Sequence, residues 1–377
     1  MVPKLKSLEL ENWKSLKSLS LDFEDINVLI GPNGSGKSNL VQFFQMLNMM
    51  MSGNLQLLIG RSGGASSILH YGAKNTIYID SKMTFTAENA TDAYAFRLTH
   101  GAPDTFVFAS ENIAYKSKDH PGEPFTTEFG AGHKESHLSE YKGELDQTSQ
   151  FVRNTLAHVR YFQFHDTGNE SYIRSTARED NNRTLFDNGG NVAAVLLRLS
   201  REFPAAYRQV VDRVRLDVPA LKDFVLEPDN GYLRLDWTDT HRGQRFGPHQ
   251  LSDGSIRLIA LHTLLGLPPQ MAPSVAVIDE PELGLFPRAL KTLVEAIRSA
   301  SAQCQIVLAT QSNRLVRYLE PDSLICCAWR DGQSTIQRLS PTEDFQFMDD
   351  YTLGDYCAGN ARMFLEDEQP PPLQQFL

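Results

Sequence analysis

Residues 31–38 read Gly-Pro-Asn-Gly-Ser-Gly-Lys-Ser. Glycine, then glycine-lysine-serine after a four-residue gap, is a spacing with a definite chemistry. Glycine lets the backbone curl where a Cβ would clash, so successive N–H groups turn toward one point. A helix that opens from such a curl adds the positive end of its dipole. The natural guest is a chain of phosphates. Asn33, Gly34, Ser35 and Gly36 would line it, and Lys37 would reach the β- and γ-phosphates. The Ser38 hydroxyl would ligate Mg²⁺, and Asn39 follows on the first helical turn. A chance glycine-rich turn is the bland alternative; the complete motif and its flanks speak against it.

Two further segments extend this chemistry. Residues 275–280, Val-Ala-Val-Ile-Asp-Glu, are an apolar run ending in two acids. Asp279 is placed to hold Mg²⁺ through water, and Glu280 to polarise an attacking water as general base. Alone, this would read equally well as a solvated acidic turn; beside a phosphate loop it does not. Residues 251–255, Leu-Ser-Asp-Gly-Ser, open a helix. Ser252, with Gly254 permitting close approach, can donate to a γ-phosphate, although Ser-Asp-Gly is also a good turn and helix cap.

The elements that must carry these residues are legible as patterns. Leu8 and Leu10, then Leu19, Leu21 and Phe23, alternate as two half-buried strands. Residues 26–30, nearly all apolar, read as a strand covered on both faces, and residues 37–51 as the helix after the glycine loop. Alternation around Ile77, Ile79, Met83, Phe85, Phe96 and Phe106 predicts an antiparallel meander. Residues 109–157 are polar and read as loops and short elements. Residues 185–216, from Leu185-Phe186 through Val192, Val195, Leu196 and Leu199, read as helical. Then come helix 256–265, strand 275–279, helix 288–300, and strands 305–310 and 324–329. The fold class is α/β: a mixed central sheet, an antiparallel β subdomain and a helical lobe. The expected divisions are 1–168 with the glycine loop, a helical lobe over 169–250, a C-terminal lobe over 251–345, and a tail over 346–377, whose Gln369-Pro370-Pro371-Pro372 suggests weak docking or disorder.

Composition sets bounds. A net charge of −10 argues against broad adhesion to nucleic acid while leaving a local basic patch open. The four cysteines, Cys304, Cys326, Cys327 and Cys357, form no C-x-x-C pair and no disulfide framework, which fits a reducing compartment. There is no secretory leader pattern at Met1 and no run of eighteen apolar residues, so a cytoplasmic protein without membrane contact is expected. His133, His137 and His249 lack metal-site spacing and read as loop residues. Arg61, and the cluster Arg174, Arg178 and Arg183, are either nucleic-acid contacts or solvated charged faces.

The order of these motifs resembles the compact ABC-type P-loop ATPase heads of the SMC, RecF and OLD group. Glu11-Asn12-Trp13-Lys14-Ser15-Leu16 looks like that group's N-terminal strand-turn, and Leu251–Ser255 like its signature. Residues 279–287, Asp-Glu-Pro-Glu-Leu-Gly-Leu-Phe-Pro, look like its acidic strand and D-loop. Phe164-His165-Asp166-Thr167 and Asp187-Asn188-Gly189-Gly190-Asn191 are similar to a family of bacterial ATPases found beside DNA-repair and anti-phage genes. The resemblance implies ATP and Mg²⁺ as cofactors, and head-to-tail homodimers in which one subunit's signature meets the nucleotide on the other's glycine loop. It places Gln311 at the switch position, where histidine is usual, and Phe286 where many relatives carry histidine. The Q-loop glutamine, a Mg²⁺ ligand, maps onto Gln163, with His165 as rival and a purely structural segment as third reading. Residues 38–251 hold no sustained heptads and too little chain follows the last family-like strand for a catalytic domain, so neither SMC arms nor an OLD nuclease domain is expected. The implied role is a nucleotide switch in DNA maintenance or anti-phage defence. The alternative is a low-turnover regulatory subunit controlling a partner effector, a nuclease or toxin; a nuclease with an unrecognised site ranks third.

Overall fold

The computed structural model describes residues 4–86, 90–117, 124–140 and 146–339. The proposed tail at 346–377, and Cys357 with it, lie outside the described residues. The chain forms two compact units. One comprises Lys6–Phe23, Asn27–Val152 and the chain from Ala309, and carries the glycine loop; the other is chiefly Arg153–Leu308 and carries the acidic strand.

In the glycine-loop unit, strands Lys4–Trp13 and Leu16–Asp22 form a hairpin with Leu8 opposite Leu21 and Leu10 opposite Leu19. They join a six-stranded sheet with Tyr78–Thr86, Ala90–Gly101, Thr105–Ser117 and Phe125–Glu128. Met83, Phe85, Phe96, Phe106 and Phe108 alternate inward and are buried. Ile77 is 60% exposed, because the strand begins one residue later and its position falls at the sheet end. Ile26–Ile30 runs parallel to Leu324–Arg330, which turns back antiparallel along Gln333–Arg338. This last strand has no apolar alternation to reveal it. Helix Lys37–Met51 buries Leu40, Phe43, Phe44, Leu47 and Met50, the three-four spacing of one helical face. Trp13 meets Phe43 edge-on at 5.5 Å, tying the first strand to this helix.

The described parts of the polar stretch 109–157, residues 109–117, 124–140 and 146–157, hold more regular structure than its composition implies. The strand runs on to Ser117 because buried Glu111 is fully engaged. It accepts from the Tyr94 hydroxyl (2.6 Å), the Ser136 hydroxyl (2.5 Å) and the His137 amide (2.9 Å). A buried carboxylate is tolerable when its lone pairs are matched. His133 lies in a loop, as expected, and stacks between Phe108 and His137, while His137 begins the short helix His137–Glu140.

In the acidic-strand unit, Val275–Asp279 pairs in parallel with Val159–Phe162, Val277 opposite Tyr161. Helices Val192–Glu202, Pro204–Asp217, Asp253–Leu265 and Pro287–Ser301 pack together. Buried His262 and the Thr292 hydroxyl both meet Asp217, at 3.3 and 2.7 Å, joining three of these helices. Leu185-Phe186 precede the first helix instead of starting it. Asn191 gathers that loop, accepting from the Phe186 amide and donating to the carbonyls of Asn181 and Thr184. A small sheet of Leu221–Val225, Asp236–Asp239 and Arg245–Phe246 also lies in 169–250. No helix among the described residues is long and apolar enough to cross a membrane.

Asp92, 3% exposed in the large sheet, has one carboxylate oxygen without a hydrogen-bond partner among the described residues. Burial, and then the nearby Asp146 carboxylate, push its pKa up to about 6. The folded state therefore binds this proton more tightly than the unfolded chain does. Its stabilising contribution is complete below about pH 4 and is lost as pH rises through about 6. Asp92→Asn is expected to flatten the loss of stability between those values and to raise stability at pH 7 by up to ~3 kcal/mol. Denaturant titrations across pH check this; parallel curves for variant and parent would refute it.

Candidate functional site

The glycine loop is held by what its glycines lack. A Cβ on Gly31 would strike the Cys327 carbonyl, and one on Gly36 would strike the Ser334 side chain. Gly36 also has φ of 101°, a left-handed conformation that disfavours any side chain. Gly34, with φ of 80°, borders open space. The loop is thus pressed against the Leu324–Arg330/Gln333–Arg338 hairpin on one side and open on the other. Asn33, Gly34 and Ser38 are exposed there. Lys37 is buried, its ammonium donating to the carbonyls of Gly31 (2.6 Å) and Pro32 (3.0 Å). The Ser35 hydroxyl is buried with no hydrogen-bond partner among the described residues. A bare cradle, a lysine at its neck and an unmatched hydroxyl fit an oxyanion ligand such as a phosphate chain. Asn39 is engaged elsewhere: its amide donates to the Ser15 hydroxyl (2.5 Å) and its carbonyl accepts from the Trp13 indole (2.7 Å). The first hairpin therefore braces the helix that starts at Lys37. In this same unit Gln311 is exposed, and the next residue, Ser312, caps helix Asn313–Val316 by accepting from the Leu315 amide (3.3 Å).

In the acidic-strand unit, Asp279 ends its strand and Glu280 takes a φ of 43°. A left-handed glutamate is sterically costly, and such strain gathers at functional positions. Tyr161, on the neighbouring strand, donates from its hydroxyl to Asp279 (3.4 Å). Burial, then the Asp279 charge, raise the pKa of that phenol, so it stays a donor. His165 also lies beside the acids. Its Nε2 lies 3.2 Å from the Asp279 carbonyl and 3.9 Å from the Glu280 carboxylate. Gln163 is exposed and its amide meets His165 Nδ1 at 3.0 Å. If that amide donates, Nδ1 is the acceptor and Nε2–H points at the carbonyl, which is the neutral tautomer. Of the two Q-loop candidates, Gln163 orients and His165 faces the acids.

Ser252 is exposed and caps helix Asp253–Leu265, its hydroxyl accepting from the Ser255 amide (3.1 Å). Gly254 lies against the D-loop: a Cβ there would stand 2.9 Å from the Gly284 carbonyl. Phe286, just before helix Pro287–Ser301, is 83% exposed. Arg174, grouped above with Arg178 and Arg183, is a correction. It is 4% exposed and its guanidinium holds the carbonyls of Thr167, Pro248 and Leu251 and the Asp253 carboxylate. It therefore positions the signature turn and cannot be a nucleic-acid contact. Arg178 is exposed and paired with Asp180, and Arg61 and Arg183 are exposed. His249 is exposed on the turn Pro248–Gln250. Sequence reasoning passed over Arg257, a lone cation at a buried position of an otherwise apolar helix stretch; that mismatch was the available signal.

In sequence and fold the chain is an ABC-type P-loop ATPase similar to those of the SMC and RecF group. The chain belongs to the family described as "AAA domain, putative AbiEii toxin, Type IV TA system", whose model matches residues 26–317. It is 36% identical over 86 residues to the chromosome partition protein Smc of Methanocaldococcus jannaschii, spanning 22% of this chain and 7% of that one. It is 48% identical over 46 residues to the DNA replication and repair protein RecF of Clostridioides difficile, 12% of each. The chain thus spans only a small part of the length of these curated relatives. In fold it is similar to an Smc head bound to the C-winged helix domain of ScpA, with a TM-score of 0.58 at 17% identity, covering 91% of this chain and 99% of that one. A Pyrococcus furiosus Smc head with an extended coiled coil gives 0.57 at 15% identity, covering 91% and 98%.

His165→Ala is expected to lower ATP turnover on the order of 10²-fold through loss of the group facing Asp279 and Glu280. Gln163→Ala is expected to cost less, since His165 keeps its contact with the Asp279 carbonyl. Steady-state turnover of the two variants decides; a larger loss from Gln163→Ala would return the primary role to Gln163.

Proposed function

We propose that this chain binds and hydrolyses ATP with Mg²⁺, pairs head-to-tail with a second copy while ATP is bound, and serves as a nucleotide switch in DNA maintenance or anti-phage defence. The observation that carries the hydrolytic reading is Glu280: a strained carboxylate directly after the strand end, with an oriented imidazole beside it. When bound, ATP would supply the phosphoanhydride and Mg²⁺ would neutralise its charge. Among the chain's own groups, the loop amides and Lys37 bind phosphate oxygens, and Ser38 and Asp279, with Gln163, are the candidate metal ligands. Glu280 takes a proton from water as general base. His165 holds the carboxylate's surroundings in place, and Gln311 can offer a hydrogen bond but no charge. Ser252 and Gly254, at an exposed helix start, are the groups offered to a partner copy's γ-phosphate.

The names of the curated relatives favour DNA maintenance, while the family's description, which names a toxin and a TA system, favours control of an effector protein. The second reading, a regulatory subunit with little turnover, rests on that description and on Gln311 at the switch position. Glu280→Gln separates the two. It keeps the hydrogen-bonding shape and removes the base, a loss worth roughly 10²–10⁴-fold in rate. Single-turnover hydrolysis is expected to fall by that factor while ATP stays bound. Equal rates in variant and parent would remove Glu280 from its role. A parent that shows no turnover, with or without DNA, would favour the regulatory reading.

A further inference from the structure

Arg257 lies in the second turn of helix Asp253–Leu265 and is 5% exposed. Its described hydrogen bonds all end on main-chain carbonyls. Nε donates to Phe164 (2.8 Å), Nη2 to His165 (3.2 Å) and Nη1 to Leu283. Those carbonyls belong to two different segments. One is the stretch that carries His165 to the side of Asp279 and Glu280. The other is the turn that leaves Glu280, where the Leu283 amide bonds back to the Glu280 carbonyl (3.2 Å). Burial lowers the guanidinium's pKa from its ordinary value, the mark of a cation kept out of water. An apolar side chain would fill this position without that cost, so packing alone does not account for the residue.

The glycines beside it tighten the arrangement. Gly254, in the signature, is bare where the Gly284 carbonyl passes, and Gly284 is bare where Arg257 Nη1 passes: a Cβ there would stand 2.6 Å from that nitrogen. Signature turn, guanidinium and D-loop turn are therefore stacked without side chains between them. Only a planar fork of five N–H donors can hold three divergent carbonyls at once; an ammonium on a flexible stem cannot.

We propose that Arg257 is a positioning residue that makes the signature helix, the His165 segment and the turn after Glu280 move as one body. What engages the start of the signature helix at Ser252 then sets the placement of His165 and Glu280 in the same subunit. This rests on the hydrolytic reading above and adds its regulation: one subunit's signature contact would govern that subunit's own base.

The test uses the full chain, with kcat, KM, calorimetric ATP affinity and thermal midpoint measured for parent, Arg257→Lys and Gly284→Ala. Arg257→Lys keeps the charge and loses the fork. Gly284→Ala leaves the arginine and crowds it. Arg257→Lys is expected to lower kcat on the order of 10²-fold with KM and ATP affinity at parent values, and to lower the midpoint because buried carbonyls lose their donor. Gly284→Ala, at a φ of 72°, is expected to lower kcat and the midpoint likewise. Combining Arg257→Lys with Ser252→Ala is expected to cost much less than the product of the single effects, since both break one path. Turnover at the parent rate in Arg257→Lys overturns the proposal. So does a fall in ATP affinity alongside kcat, which marks a packing residue, and so do strictly multiplicative effects in the double variant. An inactive parent overturns the hydrolytic reading itself and this proposal with it, an outcome visible before any variant is compared.

Discussion

Close passage of neighbouring groups against bare glycine backbone is the constraint on which both halves of this protein depend. In the glycine-loop unit, Gly31 passes the Cys327 carbonyl and Gly36 passes Ser334. In the acidic-strand unit, Gly254 passes the Gly284 carbonyl and Gly284 passes Arg257. Each close approach turns main-chain groups into the working surface: amides that can face phosphate in the first case, carbonyls that fix a guanidinium in the second. A methyl group at Gly31, Gly36, Gly254 or Gly284 would push apart the pieces on which the placement of chemically active side chains depends.

Around that constraint the polar groups divide into those that act and those that hold. Lys37, Ser38, Asp279 and Glu280 are of the first kind in the proposed reaction. Asn39, Tyr161, Gln163, Arg174 and Arg257 are of the second. Their partners are Ser15, Asp279, His165, the signature turn and the D-loop. The holding groups are buried or half-buried, with the exception of Gln163, and their cost is met by full hydrogen bonding. The exposed residues are of another sort. Ser252 begins its helix at the surface and Phe286 stands almost wholly in solvent. A large exposed aromatic beside a helix start is the kind of feature a partner surface covers.

The sequence made most of the framework legible because its periods were clean. Ile26–Ile30, Lys37–Met51 and Val275–Asp279 begin and end where their patterns do. Legibility ended where polar residues were buried. Glu111 and Arg174 look like surface residues in a linear reading, and only three-dimensional hydrogen bonding shows them inside. Gln333–Arg338 and the small sheet near Trp237 have too few apolar alternations to stand out from loop. Gln163 and His165 could not be separated by spacing, since both lie two residues apart on the same face of an extended segment; their order relative to the acids needed coordinates. Arg257 carried a signal, a charge at an apolar position, that a motif-centred reading passes over.

In the proposed function, ATP makes a composite site from two copies of this chain. Sedimentation of the parent with a slowly hydrolysed ATP analogue, beside Ser252→Arg and Lys37→Ala, tests it most directly. The parent is expected to be a dimer with the analogue and a monomer without it. Both variants are expected to stay monomeric, with nucleotide still bound calorimetrically by Ser252→Arg and no longer by Lys37→Ala. A Ser252→Arg protein that dimerises like the parent, or a parent whose mass ignores the nucleotide, would contradict it.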